Sequence, residues 1–143
     1  MSAHEGEATR RIPYAGEIIR VLGESEGIAF CELTVPAHFA GPPPHIHHGF
    51  DESLYVLSGA LTMVKDRGEP EPVPVGGLIL ASRGVRHTFA NPHDEPARVI
   101  GVWSPASAMS FMAEIGAALP ASGPPDPERL AEIYRRHDSE IVL

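Results

Sequence analysis

The sequence predicts an all-β domain with short helices at its C-terminal end. Three observations predict it. Short runs rich in Val, Ile and Phe recur between glycine and proline turns; the 15 prolines and 14 glycines are spread along the chain rather than massed in one tract; and helical spacing of apolar residues begins only past residue 105. A chain of 143 residues has room for one compact domain with a proper core and is too short for two of ordinary size.

Residues 1–11, "MSAHEGEATRR", are polar and mixed in charge and are expected to form a flexible tail. "GEIIRVLG" and "GIAFCELTV" read as strands bounded by glycine. Alternation in the second sets Ala29, Cys31, Leu33 and Val35 on one, mainly apolar, face, with Ile28, Phe30, Glu32 and Thr34 on the other. "PAHFAGPPP" is a loop, because each proline lacks an N–H and restricts the residue before it. "HIH" is extended, "HGFD" turns, and "ESLYVLSG" is a strand ending at Gly59. "ALTMVKD" follows at once, so "LSGALT" is expected to be a tight antiparallel connection. After the loop "RGEPEPVPVGG" come a short buried strand, "LILAS", and the turn "RGV". "RHTFAN" and "ARVIGVWSP" are the last clear strands, separated by the turn-rich "NPHDEP".

The pattern then changes. Met109, Met112, Ile115 and Leu119 fall at helical spacing, with Phe111 beside them. After "ASGPP", a second helix restarts with Asp126 as N-cap, Pro127 at the first helical position, and an apolar stripe of Leu130, Ile133 and Tyr134. The expected organisation is a tail at 1–11, a β-domain at 12–105 and a helical extension at 106–143 packed on it.

The 11 basic and 19 acidic residues give a formal charge of −8, which disfavours nucleic acid and anionic membrane as partners. Cys31 is the single cysteine, so no intramolecular disulfide forms, and it reads as a small buried hydrophobe. The N-terminal residues lack an apolar signal region, and no apolar run reaches the ~20 residues of a spanning helix, so a cytoplasmic protein is expected.

The chemistry concentrates in "GPPPHIHHGFDES". On residues alone it reads as a metal site, a pH-sensitive loop or an accident of composition. His45 and His47 are two apart on a strand, so both project to one face, as converging metal ligands must. Glu52 shares a strand face with Leu54 and Val56, an inward set. Asp51 is the competing carboxylate, disfavoured by that parity. His87 in "GVRHTFAN" is the candidate distant partner. His48 faces away from its neighbours; His38 and His93 sit in polar loops; His4 and His137 are terminal. Arg83 and Arg86 read as surface residues, and Phe50, Tyr55, Phe89 and Trp103 as core residues that could also line a pocket.

Two segments resemble the paired motifs of the cupin superfamily. His45-Ile46-His47, four residues, Glu52, six residues and Gly59 follow the first motif, although Gly41 stands closer to His45 than that motif's leading glycine. Gly76, Gly84, His87 and Asn91 follow the second in register, with Ser82 in place of its proline. The chain is similar to small single-domain cupins of the quercetin-dioxygenase-like kind over roughly residues 17 to 105. That resemblance implies one jelly-roll barrel with His45, His47, Glu52 and His87 as metal ligands. It implies one divalent transition metal ion (Fe, Mn, Ni, Cu, Co or Zn), a small-molecule substrate and a homodimer, with "GEIIRVLG" as a pairing edge. Dioxygenase-like chemistry on a carbonyl or enol substrate, with Glu52 alternating between ligand and base, is the first function expected. A non-redox Lewis-acid cyclase or isomerase is the alternative, and a non-catalytic ligand-binding barrel the third.

Overall fold

A computed structural model describes residues 8–120 and 123–142; the first seven residues of the expected tail lie outside this range. The elements are β1 (Arg10–Tyr14), β2 (Glu17–Glu24), β3 (Ala29–Val35), β4 (His45–His47), β5 (Asp51–Ser58), β6 (Leu61–Lys65), β7 (Glu71–Val73), β8 (Leu78–Ala81), β9 (His87–Ala90), β10 (Ala97–Ser104), α1 (Ala108–Ala118), α2 (Pro127–Arg136) and β11 (Ser139–Ile141). They form a six-stranded sheet, ordered β1-β2-β3-β10-β5-β8, and a five-stranded sheet, ordered β11-β4-β9-β6-β7. All named pairings are antiparallel. Among the described residues no ladder joins the two sheets, so the expected barrel is an open two-sheet sandwich.

The core lies between the sheets and under the helices. Val21, Cys31, Val56, Val99 and Trp103 supply it from the six-stranded sheet, Leu61 and Phe89 from the other. The β3 alternation holds as read, with Ala29, Cys31, Leu33 and Val35 all buried. Burial, then Glu24, pushes the Cys31 thiol up to about 12, so it stays protonated.

Three local expectations change. The "LSGALT" segment is not a hairpin: β5 and β6 belong to different sheets, and Gly59 turns the corner between them at φ +78°. A side chain there would meet the Pro96 carbonyl oxygen at 2.7 Å, so glycine is required both by φ and by space. Only Ile79 and Ala81 of "LILA" are buried; Leu78 and Leu80 face outward. Strand β2 lies between β1 and β3 and so offers no free edge for pairing.

Helix α2 begins as its sequence dictates. Asp126 caps it by accepting from the Glu128 N–H at 3.0 Å, and Pro127 sits at its start. Leu130, Ile133 and Tyr134 are buried, as are Met109, Phe111, Met112 and Ile115 of α1. An Arg136–Glu114 ion pair at 2.6 Å ties α2 to α1 on the exposed side. Among the described residues, no helix is long and apolar enough to cross a membrane.

Candidate metal centre

Strand β4 presents His45 and His47 inward with Ile46 between them on the other face. Strand β9 sets His87 directly opposite His45, an antiparallel pairing between segments far apart in sequence. Glu52 arrives from the opposing sheet, on β5 between Trp103 of β10 and Ala81 of β8. Two sheets thus supply one cluster: three imidazoles from one wall and a carboxylate from the other. All four residues are buried, and their donor atoms lie within 4.8 Å of one another.

Glycine and asparagine hold these strands in place. Gly41, at φ +87°, passes so close to β9 that a Cβ would sit 1.9 Å from the Phe89 carbonyl oxygen. Asn91, fully buried at the end of β9, donates from Nδ2 to the carbonyls of Pro36 (3.1 Å) and Glu95 (2.9 Å). Its Oδ1 accepts from the His93 N–H at 3.0 Å. The motif asparagine therefore locks the loops that flank His87.

Each histidine spends its outer nitrogen on an oxygen. The Nδ1 of His45 lies 2.8 Å from the Pro43 carbonyl, that of His87 3.0 Å from the Val85 carbonyl, and that of His47 2.7 Å from the Ser139 hydroxyl. Carbonyls only accept, so Nδ1 carries a proton in His45 and His87, and the neutral form of each ring directs its Nε2 lone pair inward. The Nε2 atoms of His47 and His87 stand 3.9 Å and 3.7 Å from Glu52 Oε2. These separations exceed hydrogen-bond range, and the buried Nε2 of His87 has no hydrogen-bond partner. An orphaned buried nitrogen beside two further Nε2 atoms and a carboxylate is what a bound cation would satisfy. The all-nitrogen-and-oxygen set suits a divalent transition ion. The cluster could hold such an ion, and the residues present fit it.

Burial favours the neutral form of both β4 histidines. Burial, then His87, lowers His45 to about 4; burial lowers His47 to about 3 against the pull of Glu52. Burial opposes charge on Glu52 and His87 too, but their mutual attraction prevails, holding Glu52 below its ordinary range and His87 above it.

The C-terminal extension closes the site. A cavity of about 20 Å³ is lined by His45, His47 and Glu52, by Tyr14 of β1, by Phe111, Met112 and Ile115 of α1, and by Tyr134 of α2. The ring of His47 stacks on Phe50 at 4.2 Å and lies parallel to Tyr134 at 6.0 Å, with Phe111 edge-on at 5.0 Å. That space holds about one water-sized species, too little for a ring-sized molecule beside the donors.

The remaining expectations resolve from these contacts. Asp51 points away, accepting from the Arg83 N–H at 2.9 Å, so Glu52 is the carboxylate in the cluster. His48 is exposed beside Glu140, and His38 is exposed 2.9 Å from Asp94; neither joins the site. Phe50 and Phe89 are buried, Trp103 is core, and Tyr55 lies outward. His4 lies outside the described residues. Sequence reasoning missed Tyr14, Ser139 and the position of Tyr134. Tyr134 was legible only as one residue of an apolar stripe, and neither Tyr14 nor Ser139 falls in a motif.

Comparison with known proteins gives the same picture. The Cupin domain profile matches residues 32–103, about half of the chain. No curated protein matches. Among solved structures, the chain is similar to the polyketide cyclase RemF from Streptomyces resistomycificus, at 24% identity, TM-score 0.57, over 73% of this chain and 78% of that one. A cupin-superfamily sugar phosphate isomerase from Silicibacter pomeroyi is similar at 24% identity and TM-score 0.59, over 73% and 75%. An RmlC-like cupin from Shewanella frigidimarina is similar at 20% identity and TM-score 0.59, over 74% and 90%. The matched span runs from β3 through β10 and takes in all four clustered residues, so the chain belongs to the cupin superfamily.

Proposed function

We propose that the protein is a metal-dependent cupin enzyme acting on a small organic substrate of the carbonyl or enol type. The observation that carries this reading is the convergence of His45, His47, His87 and Glu52 in one buried cluster, beside a cavity lined by three of them and by two tyrosines. A divalent ion held by those four residues would polarise a substrate carbonyl and stabilise enolate charge.

The chain's own residues supply the proton handling. Glu52, held ionised by the neighbouring histidines, is placed to accept a proton from carbon next to a carbonyl. Burial, then Tyr134 and Glu52, raises the Tyr14 phenol well above its ordinary range; burial, then Glu52, raises that of Tyr134. Both phenols therefore keep their protons and can donate to a developing enolate oxygen. The aromatic walls exclude water and strengthen these interactions.

A base near carbon and proton donors near oxygen are the parts that enolisation, isomerisation or ring closure needs. We therefore put the non-redox, cyclase- or isomerase-like reaction first, and the cyclase and isomerase among the similar structures agree with it. The quercetinase-like dioxygenase is the second reading, supported by a donor set equally suited to redox-active ions. Metal-loaded protein incubated with 1,3-diketones and flavonols in deuterated water, with and without oxygen, separates them. The first reading predicts deuterium at the activated carbon or a rearranged product, unchanged by anaerobic conditions. Oxygen uptake tied to substrate loss supports the second. Neither outcome across the panel would leave a ligand-binding cupin and overturn both catalytic readings.

We also propose a homodimer, formed by the outer face of the six-stranded sheet and not by edge pairing along β2. Phe30, Tyr55, Leu57, Leu78 and Leu80 are exposed there, and the registers place Phe30, Val102, Ser53 and Leu80 in one row across it. Contiguous exposed apolar area of this kind commonly marks an association surface. Light scattering should give twice the chain mass, falling to the monomer mass in Leu80→Asp. A monomeric wild-type protein at micromolar concentration would refute this.

A further inference from the structure

Two of the three histidines obtain their Nδ1 acceptor locally. His45 uses the carbonyl two residues before it, Pro43, and His87 uses the carbonyl two residues before it, Val85. His47 does not. Its acceptor is a side chain 92 residues away, the hydroxyl of Ser139 on β11. That strand is only three residues long and, among the described residues, pairs solely with β4, in the register Ser139↔His47, Glu140↔Ile46 and Ile141↔His45. Two flanking backbone bonds fasten it, from the His48 N–H to Asp138 O (3.0 Å) and from the Val142 N–H to Pro44 O (2.9 Å).

The Ser139 hydroxyl is buried and has two partners. It donates to the His137 carbonyl at 3.2 Å, which leaves its oxygen to accept from His47 Nδ1–H at 2.7 Å. That relay fixes His47 with its proton outward and its Nε2 lone pair toward His87 and Glu52. Without the hydroxyl, a buried Nδ1–H loses its acceptor, and the alternative tautomer would turn an N–H, not a lone pair, into the cluster.

We propose that Ser139 is a positioning residue for metal binding. Through it, docking of the C-terminal strand and loading of the ion are coupled. This rests on the metal reading above and adds that the extension is part of the binding site, not merely its cover. Coupling is reciprocal: whatever the strand contributes to the ion, the ion returns to the strand.

The test uses the full chain with Zn²⁺ alone as probe, competed against a chromophoric chelator. Loss of a partner that orients a metal-bound histidine typically costs 10–100-fold in affinity, so Ser139→Ala should weaken Zn²⁺ binding by about that factor, and Ser139→Thr, which keeps the hydroxyl, should restore it to within about threefold. In the wild-type protein, Zn²⁺ should slow hydrogen exchange of the amides at residues 139–142, a readout that needs no variant. Ser139→Ala with wild-type affinity, Ser139→Thr no better than Ser139→Ala, or exchange in β11 unchanged by Zn²⁺ would each overturn the proposal. Failure of wild-type protein to take up Zn²⁺ at all is a separate result, and it overturns the four-residue metal site as well.

Discussion

Replacing His87 with alanine is expected to abolish stoichiometric metal binding while the sandwich stays folded. His87 supplies one of three nitrogens aimed into the cluster, and its buried Nε2 has no hydrogen-bond partner among the described residues. Losing a ligand outright should cost more than losing a residue that only orients one, so an affinity drop beyond about 100-fold is expected. The fold survives because β9 is held through its backbone, with His87 paired to His45 on one side and to Lys65 on the other. Glu52 is left buried without its main partner, at a cost on the order of 1–3 kcal/mol to the metal-free protein. Asp51→Asn is the control. Its carboxylate serves Arg83 on the surface, so metal content should remain that of the wild type. Elemental analysis of the purified variants and their circular dichroism decide the matter. Full metal content in His87→Ala, or its loss in Asp51→Asn, would contradict the assignment.

The second large effect is expected at Gly116, in the last turn of α1. A Cβ there would sit 1.9 Å from the Pro13 carbonyl oxygen and 3.1 Å from its carbon, both backbone atoms of β1. Two effects compete in Gly116→Ala. Helix propensity favours alanine by about 1 kcal/mol. Overpacking typically costs 1–3 kcal/mol or more, and a clash with backbone cannot be relieved by a rotamer change. The clash wins, because α1 has to move off β1 as a body. A net loss of about 2 kcal/mol should lower Tm by roughly 5–10 °C in a chain of this size. Phe111, Met112 and Ile115 move with the helix, so the cavity over Glu52 opens. Thermal denaturation and the accessibility of the site to a small chelator report the two consequences. A raised Tm would mean that propensity prevails and that α1 does not pack on β1 as described.

Much of the centre was legible in the sequence because period-two alternation says which way a strand residue points. That rule set His45 and His47 together and chose Glu52 over Asp51, and the second motif identified His87 and Asn91. Alternation does not say which sheet a strand joins. The "LSGALT" segment has the composition of a hairpin turn, yet Gly59 there turns a corner between sheets. Nor does it say whether an apolar residue faces a core or solvent, which is why Leu78 and Leu80 were misplaced. Strand β11 was invisible: three residues that exist as a strand only because β4 offers a partner. Ser139 gained its position from that docking, which no local pattern encodes, and the stripe that buries Tyr134 does not say that it lies against His47.

X-ray absorption at the metal edge of the loaded wild-type protein tests the central claim most directly. The geometry predicts about one ion per chain, with scattering from three imidazoles, a carboxylate oxygen and no thiolate, since the clustered donors are His45, His47, His87 and Glu52 and Cys31 is buried as a protonated thiol in the core. An ion bound with fewer than three imidazoles, or no uptake of Zn²⁺, Ni²⁺, Mn²⁺ or Fe²⁺ by the folded protein, would contradict it.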